Sequence, residues 1–512
     1  MLSVYTSVNN ISLSTMSTVK AAPASFADLE VNPQTSVAGL PIVVDLDGTL
    51  TLTDTLVESV LVMIKQQPVT LLLLPFWMIQ GRAVFKSRVA ARVQLSICTL
   101  PLRQELVDYL GEEKEKGRVL MLATAAHGSI AEPFAARLGL FDTVIATNEQ
   151  VNLKGTDKLA AIEQIYPDGF VYAGDSSADL PIWAKAKGAI LAGASASVSS
   201  KVHGRHQVEK EFHNAPAGLK TWMKALRVHQ WIKNLLLLVP VVTGFAFSET
   251  WRFGVIALAF LAFSFTASAT YLVNDLWDLD SDRAHPRKCK RPFACGSIGI
   301  LHGLAAAAAL LLTGFFIASL ISREFVGMLA LYIVLTSAYS WSLKSYVLVD
   351  VIMLSVLYTL RILAGSVAID VSTSSWLIAF SLFLFISLAL IKRCSELVSM
   401  EQRGVRSSLG RDYRTSDLTV LWPLGCATSI AAVVVFGLFI SAPETHVRYE
   451  SPELMWPATL GLIYWQARMW IKTSRGEMHD DPIVFALRDA GSRNTIFFIL
   501  VMIVMAHFVP LG

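Results

Sequence analysis

Apolar and polar positions divide this chain into two stretches with different spatial periods. Between residues 39 and 200 the apolar runs are short: 41–45, 118–123, 143–146 and 169–173. Each is a continuous hydrophobic run of strand length bounded by turn residues, the pattern of a strand buried on both faces. Helical stretches such as 157–165 lie between them, which predicts parallel βαβ units. A Gly/Ala/Ser stretch at 191–200 leads into a His- and Lys-bearing segment, and 201–220 reads as a linker. From 221 onward the apolar runs lengthen to roughly twenty residues, enough for a helix to cross a bilayer core. Their centres, near Leu238, Ala262, Leu310, Ile333, Leu357, Phe385, Val434, Leu462 and Ile503, predict about nine membrane helices. The expected architecture is an α/β Rossmannoid domain over 39–200 followed by an all-α polytopic membrane domain over 221–512. Residues 1–38, rich in Ser, Thr, Val and Asn, lack a charged start and an apolar core and read as a disordered lead-in.

One segment fits neither half. Residues 70–80 are strongly apolar but too short to span, and Arg82, Lys86, Arg88 and Arg92 follow them. Two readings stay open: a cap helix that dips into the membrane interface, or a buried core helix of the α/β domain.

Composition agrees with a membrane protein, being 54% hydrophobic and only 16% charged. A net charge of +3 is too small to imply nucleic-acid binding. The five cysteines show no paired spacing, which argues against a disulfide framework or a zinc site. Basic residues collect in alternate loops of the second half, around 220–233, 283–291, 344, 392–414 and 472–493. The positive-inside rule therefore places the α/β domain and these loops in the cytosol of a bacterial inner (plasma) membrane, with the C-terminus outside.

The α/β half carries an ordered set of reactive groups. Asp45-Leu-Asp47-Gly-Thr49 follows the first predicted strand, Thr124 the second, Lys158 begins a helix, and Asp175 and Asp179 follow the fourth strand. The C-terminal ends of strands are where open α/β sheets place ligands. This order resembles the haloacid dehalogenase (HAD) phosphatase superfamily, phosphoserine-phosphatase-like branch, over residues 39–200. The resemblance implies that Asp45 is the nucleophile forming an aspartyl phosphate and Asp47 the general acid and base. It implies that Thr124 and Lys158 bind phosphoryl oxygens, and that Asp175, with Asp179 behind it, holds Mg2+ together with Asp45. Lys154 rivals Lys158, which is favoured because it begins a helix. A degenerate HAD fold kept for docking is the alternative.

In the membrane half, Asn274, Asp275, Asp278 and Asp282 end the second predicted span, with Asn274, Asp278 and Asp282 in four-residue register on roughly one helix face. Carboxylates crowded at a bilayer edge call for a cation, and oxygen-only ligands suit Mg2+ and its phosphate partners. A basic run through Arg283, Lys290 and Arg291 follows. This motif, with the helix count, resembles the UbiA superfamily of membrane prenyltransferases over about 221–512. By that resemblance Asp275, Asp278 and Asp282 chelate Mg2+ on a diphosphate, Asn274 assists, and Arg291 with its neighbours holds the remaining phosphate charge. Further candidate substrate-binding positions are Lys233 and Asn234, Tyr339 and Lys344, Asp350 and Arg361. The second Asp-rich motif usual in aromatic prenyltransferases is replaced, in the loop after the sixth span, by Lys392, Arg393 and Glu396, with Arg411 beyond. Asp350 and Arg361 face a polar cavity or form a structural ion pair.

That departure resembles the decaprenyl-phosphate phosphoribosyltransferase branch, whose donor is phosphoribosyl pyrophosphate (PRPP). A site holding a diphosphate, a ribose 5-phosphate and a lipid phosphate needs Lys and Arg more than a second acidic cluster. The expected activity is Mg2+-dependent transfer of 5-phosphoribosyl to a polyprenyl (decaprenyl) phosphate, followed by removal of the 5-phosphate by the fused HAD domain, for surface polysaccharide synthesis. The bilayer is a partner, and a homo-oligomer is compatible with it. The rivals are a prenyltransferase joining a polyprenyl diphosphate to an aromatic acceptor, and a non-catalytic scaffold or transporter carrying a HAD domain.

Overall fold

A computed structural model describes residues 39–214, 217–245, 249–404, 411–478 and 481–510. The predicted lead-in at 1–38 lies outside the described residues. Six strands build the α/β domain: β1 Ile42–Val44, β2 Leu120–His127, β3 Thr143–Thr147, β4 Val171–Gly174, β5 Gly188–Ala192 and β6 Val208–Phe212. They form one parallel sheet in the order β3-β2-β1-β4-β5-β6. The central strands are hydrophobic throughout because both faces are covered. Val44, Leu122 and Ala173 pack on one side, and Val43, Met121 and Tyr172 on the other.

The chain order reverses between β1 and β4, which pair directly, Val44 opposite Ala173. Loops leaving these two strands diverge and open a crevice at their carboxyl ends. Asp45 leaves β1 and Asp175 leaves β4, so the reversal sets the two carboxylates side by side.

The sheet extends beyond the boundary expected at residue 200. The helix Ala196–His203 crosses the start of the stretch read as a linker, and strand β6 lies inside it. As an edge strand, β6 sets three successive charged residues between two apolar ones (Val-Glu-Lys-Glu-Phe) and lacks the continuous apolar run that marks the central strands.

In the second half, seven helices among the described residues are long and apolar enough to cross a membrane: Thr250–Trp277, Ile300–Ile321, Arg323–Trp341, Val349–Ala368, Ser375–Glu401, Thr415–Ile440 and Ala490–Phe508. The other two predicted centres are also helical but fall short by that measure. Leu238 lies in the shorter apolar helix Val228–Thr243. Leu462 lies in Trp456–Ser474, whose apolar face is interrupted by Gln466, Arg468 and Lys472. Lipid-facing side chains such as Leu312, Val334 and Ile430 stay uncovered, as expected where lipid rather than protein is the apolar solvent.

The two halves are joined at the acidic end of the membrane bundle. Val57 and Leu61, on the helix Thr55–Gln66, pack against a cluster containing Leu276, Leu279 and Phe293. Within that contact Arg283 pairs with Glu58 at 2.6 Å, both side chains almost fully buried. Lys65 reaches Asp280 at 3.3 Å. Gly296 (φ +75°) sits where an added Cβ would meet Leu52 Cβ at 2.7 Å, so both its backbone and the close approach require glycine.

Candidate active sites of the two domains

In the α/β domain, Asp45, Asp175 and Asp179 converge, with one oxygen from each within 4.8 Å of the others. Gly48 (φ +74°) turns the loop after β1 beneath Asp175, and its missing side chain leaves room for that carboxylate. Lys158 Nζ stands 2.9 Å from Asp45 Oδ1 and donates to Tyr172 Oη, which donates in turn to Asp179. Lys154 lines the cavity, but Lys158 makes the contact with Asp45. Asp179 accepts from the amides of Asp175 and Ser176, fixing the loop that carries Asp175. Asp47 Oδ1 accepts from the amide of Thr55 at 2.8 Å.

Burial pushes the Asp175 carboxyl up to about 7, reinforced by the charges of Asp179 and Asp45. Burial, with Asp54 nearby, likewise lifts Asp47 to about 7. Asp45 is raised by burial in spite of the opposing Lys158 ammonium. The gathered oxygens of Asp45, Asp175 and Asp179 form an all-oxygen donor set that suits a hard divalent cation such as Mg2+.

Thr124 is fully buried, its hydroxyl accepting from the amide of Ala126 at 3.0 Å. The wall beside Lys158 is formed instead by Ala125, Ala126 and His127. Thr124 thus braces the loop that forms this wall. Two groups were missed by sequence reasoning. Lys86, held by the carbonyl of Ala125 and by Asn152, lines the cavity. Arg103 donates to the carbonyls of Gly48 and Thr49. Each lies far in sequence from the motifs it serves.

The cavity, about 720 Å³, is not closed by the α/β domain alone. Its walls include residues 299–302, at the start of the membrane helix Ile300–Ile321.

The membrane motif behaves differently. Its helical register continues through the break at Asp278, with the Asp278 amide donating to Asn274 and the Asp282 amide to Asp278. Yet among the described residues Asp45, Asp175 and Asp179 are the only group gathered for one ion. Asp275 accepts from Arg227 at 2.5 Å and from Arg291 at 3.1 Å. Asp282 also pairs with Arg291, and its Oδ1 is buried without a hydrogen bond, with Lys288 Nζ 3.8 Å away. Burial raises the Asp282 carboxyl, the Arg291 guanidinium partly offsetting it. Lys344 lies 3.7 Å from Asp278, and Asn274 donates to Ser340.

Deeper in the bundle, Arg361 donates to Asn234 and Tyr332, and its guanidinium lies 5.7 Å from the Tyr358 ring. Lys233 and Lys392 converge on Asp481, at 2.8 and 3.4 Å. Burial opposes ionisation there, but the two ammonium groups outweigh it and hold the Asp481 carboxyl far below the usual range. Sequence reasoning missed Asp481. Its signal was an Asp directly before Pro482, capping a helix in a loop read only as basic.

Several predicted substrate contacts are already committed elsewhere. Arg283 belongs to the junction with Glu58. Lys290 is exposed and offers its carbonyl to Lys224. Lys392, Arg393 and Glu396 lie within the helix Ser375–Glu401, not in a loop after it. Arg393 is buried between Asp350 at 2.6 Å and Glu396 at 2.5 Å, with Tyr339 at 3.3 Å. Tyr413 completes Asp350, and Arg411 reaches Glu396. This network is a structural ion pair, the second of the two options left open for Asp350. For Arg361 the polar cluster with Asn234 is the outcome.

The comparisons fit both halves. The UbiA prenyltransferase family profile matches residues 237–509, and the haloacid dehalogenase-like hydrolase profile matches residues 42–183. The protein y4nM of Sinorhizobium fredii is 38% identical, the match covering 88% of each chain. Nodulation protein NoeC of Azorhizobium caulinodans is 34% identical over 53% of this chain and 88% of its own. A decaprenyl-phosphate phosphoribosyltransferase of Mycolicibacterium smegmatis is 35% identical over 42% of this chain and 69% of its own.

Proposed function

We propose a function from one premise: the chain belongs to the UbiA prenyltransferase family and carries a haloacid dehalogenase-like domain at its N-terminal side. The membrane domain transfers the 5-phosphoribosyl group of PRPP to a polyprenyl phosphate. The α/β domain then removes the 5-phosphate, on the cytosolic face of a bacterial inner membrane. The observation that carries this is the excess of cations around the membrane motif. Among the described residues Arg227, Arg291, Lys344, Lys233 and Lys392 pair with Asp275, Asp278, Asp282 and Asp481, while Arg361 donates to neutral partners, Asn234, Tyr332 and the Leu357 carbonyl. A donor with a diphosphate and a 5-phosphate, met by a lipid phosphate, supplies the missing negative charge. Similarity to a protein named decaprenyl-phosphate phosphoribosyltransferase supports the same choice.

In the transfer, the bond from C1 of the ribose to the diphosphate oxygen breaks, and the basic groups stabilise the charge on departing diphosphate. An oxygen of the lipid phosphate then bonds to C1. Mg2+ held by Asp275, Asp278 and Asp282, whose Oδ1 is buried without a hydrogen bond, would add to that stabilisation of the diphosphate.

In the α/β site, Asp45 attacks phosphorus, and protonated Asp47 gives its proton to the departing ribose 5-oxygen. Asp47 then takes a proton from water as that water attacks the aspartyl phosphate, which releases inorganic phosphate and restores Asp45. Lys158 orients Asp45 and balances the phosphoryl charge. Mg2+ held by Asp45, Asp175 and Asp179 would neutralise the carboxylates and phosphoryl oxygens.

The test is mass spectrometry of lipids formed from PRPP and decaprenyl phosphate in nanodiscs. The wild type should yield the dephosphorylated ribosyl lipid, and Asp45→Asn should accumulate its 5-phosphate. No ribosyl lipid, or prenyl label on an aromatic acceptor, would sink the proposal.

A further inference from the structure

The strongly apolar segment at 70–80 is not a buried core helix. It folds as a short 3-10 turn, Pro68–Leu73, continuing into the helix Leu74–Ile79. Val69, Leu71, Leu72, Phe76 and Ile79 are exposed, Ile79 by 84%. Thr70 and Trp77 turn inward, Trp77 packing with Val62, Met63, Val89 and Val93. Arg92 stacks over that ring, its guanidinium 4.6 Å from the centroid. An anchored helix with an apolar outer face and adjacent arginines has the make-up of an element seated at a lipid interface.

Its position points to which surface it meets. The segment begins three residues after Lys65, whose ammonium pairs with Asp280 at the acidic end of the membrane bundle. At its far end Met78 lines the phosphatase cavity together with Ile300 and Leu301, in the first turn of a membrane-crossing helix. Leu301 and Leu304 on that helix are themselves uncovered. The exposed apolar face is thus continuous with the lipid-facing side of the bundle, and the reactive cavity lies between them.

We infer that residues 68–79 form a wedge inserted in the bilayer surface, and that the cavity, walled by both domains, takes a phosphate monoester carried on a membrane lipid. The occupant of the apolar face is the leaflet itself. The substrate enters sideways beneath the wedge, its carrier lipid staying in the bilayer while its phosphate reaches Asp45. This rests on the α/β domain being a phosphatase, but the wedge can be tested apart from that.

The full chain in nanodiscs is irradiated with a phosphatidylcholine bearing a diazirine on one acyl chain, and labelled peptides are mapped. Labelling of 68–79 is expected, and labelling confined to the membrane helices overturns the wedge. In parallel, Leu72→Ser, Phe76→Ser and Ile79→Ser are combined; all three side chains are exposed, so folding is retained. Hydrolysis of synthetic polyprenyl-phosphoryl-5-phosphoribose, supplied ready-made in the nanodisc, should fall about tenfold in kcat/KM. Hydrolysis of p-nitrophenyl phosphate should stay within about twofold, since the wedge residues lie outside the reacting groups. Equal loss on both substrates, or none on either, overturns the lipid-borne substrate. If the wild type hydrolyses neither, the phosphatase reading fails, and the photolabelling alone decides the wedge.

Discussion

Both halves of this molecule carry aspartate-rich motifs, and the two neutralise their charge in opposite ways. In the α/β domain three carboxylates crowd together with one lysine beside them, and the strain appears as carboxyls raised toward neutrality. In the membrane domain each carboxylate has a basic partner of its own, some shared with a second acid. The first arrangement waits for a cation. The second already carries basic partners for its carboxylates, beside an Asp282 oxygen that is buried without a hydrogen bond. An acidic motif in sequence therefore does not say which kind of ligand its site lacks.

The largest expected effect that could break this contrast is Asp45→Asn. Phosphate release should fall by ~10³-fold or more, with ribosyl transfer to lipid unchanged. Transfer falling in step would show that the sites are not separate. Next, Lys158→Met should cost ~10²-fold in phosphate release, because it removes the one cation beside the nucleophile. If chelation of divalent ions leaves phosphate release intact, the crowded acids are not a metal site.

Stability measurements sharpen the other side. Asp350→Leu removes the buried carboxylate partner of Arg393, leaving it Glu396, and should destabilise the membrane domain by ~1–3 kcal/mol, read as a lower melting temperature in detergent. Adding Arg393→Met should recover most of that loss. Arg283→Met leaves Glu58 buried without its partner. Faster proteolytic release of the α/β domain is expected, with p-nitrophenyl phosphate hydrolysis retained. The smallest effect belongs to Lys344→Met. Its pair with Asp278 is partly exposed and should be worth under ~1 kcal/mol, so any large loss of transfer would mark substrate contact rather than stability.

Much of the fold was legible because it repeats locally. Runs 41–45 and 118–123 are hydrophobic without alternation, so their burial on two faces shows from composition alone. Strand β6 was not legible, because an edge strand half in solvent resembles a charged linker. The motif around Asp45 and Asp175 was legible because its residues sit at strand ends, where the fold itself gathers them. The pairing of Arg393 with Asp350, 43 positions apart, was not. Nothing in a basic run distinguishes a substrate ligand from a structural ion pair.

By itself the sequence determined the division into an α/β domain and a membrane bundle, the placing of Asp45 and Asp175 at strand ends and the apolar character of 70–80. These follow from periods of two to four residues and from hydrophobic length, which are local properties of a chain. Only the tertiary structure decided that Lys158 reaches Asp45, that Asp481 gathers Lys233 and Lys392, and that residues 299–302 wall the cavity of the α/β domain. Those contacts join positions tens to hundreds of residues apart, and electrostatic energy depends on distance in space rather than along the chain.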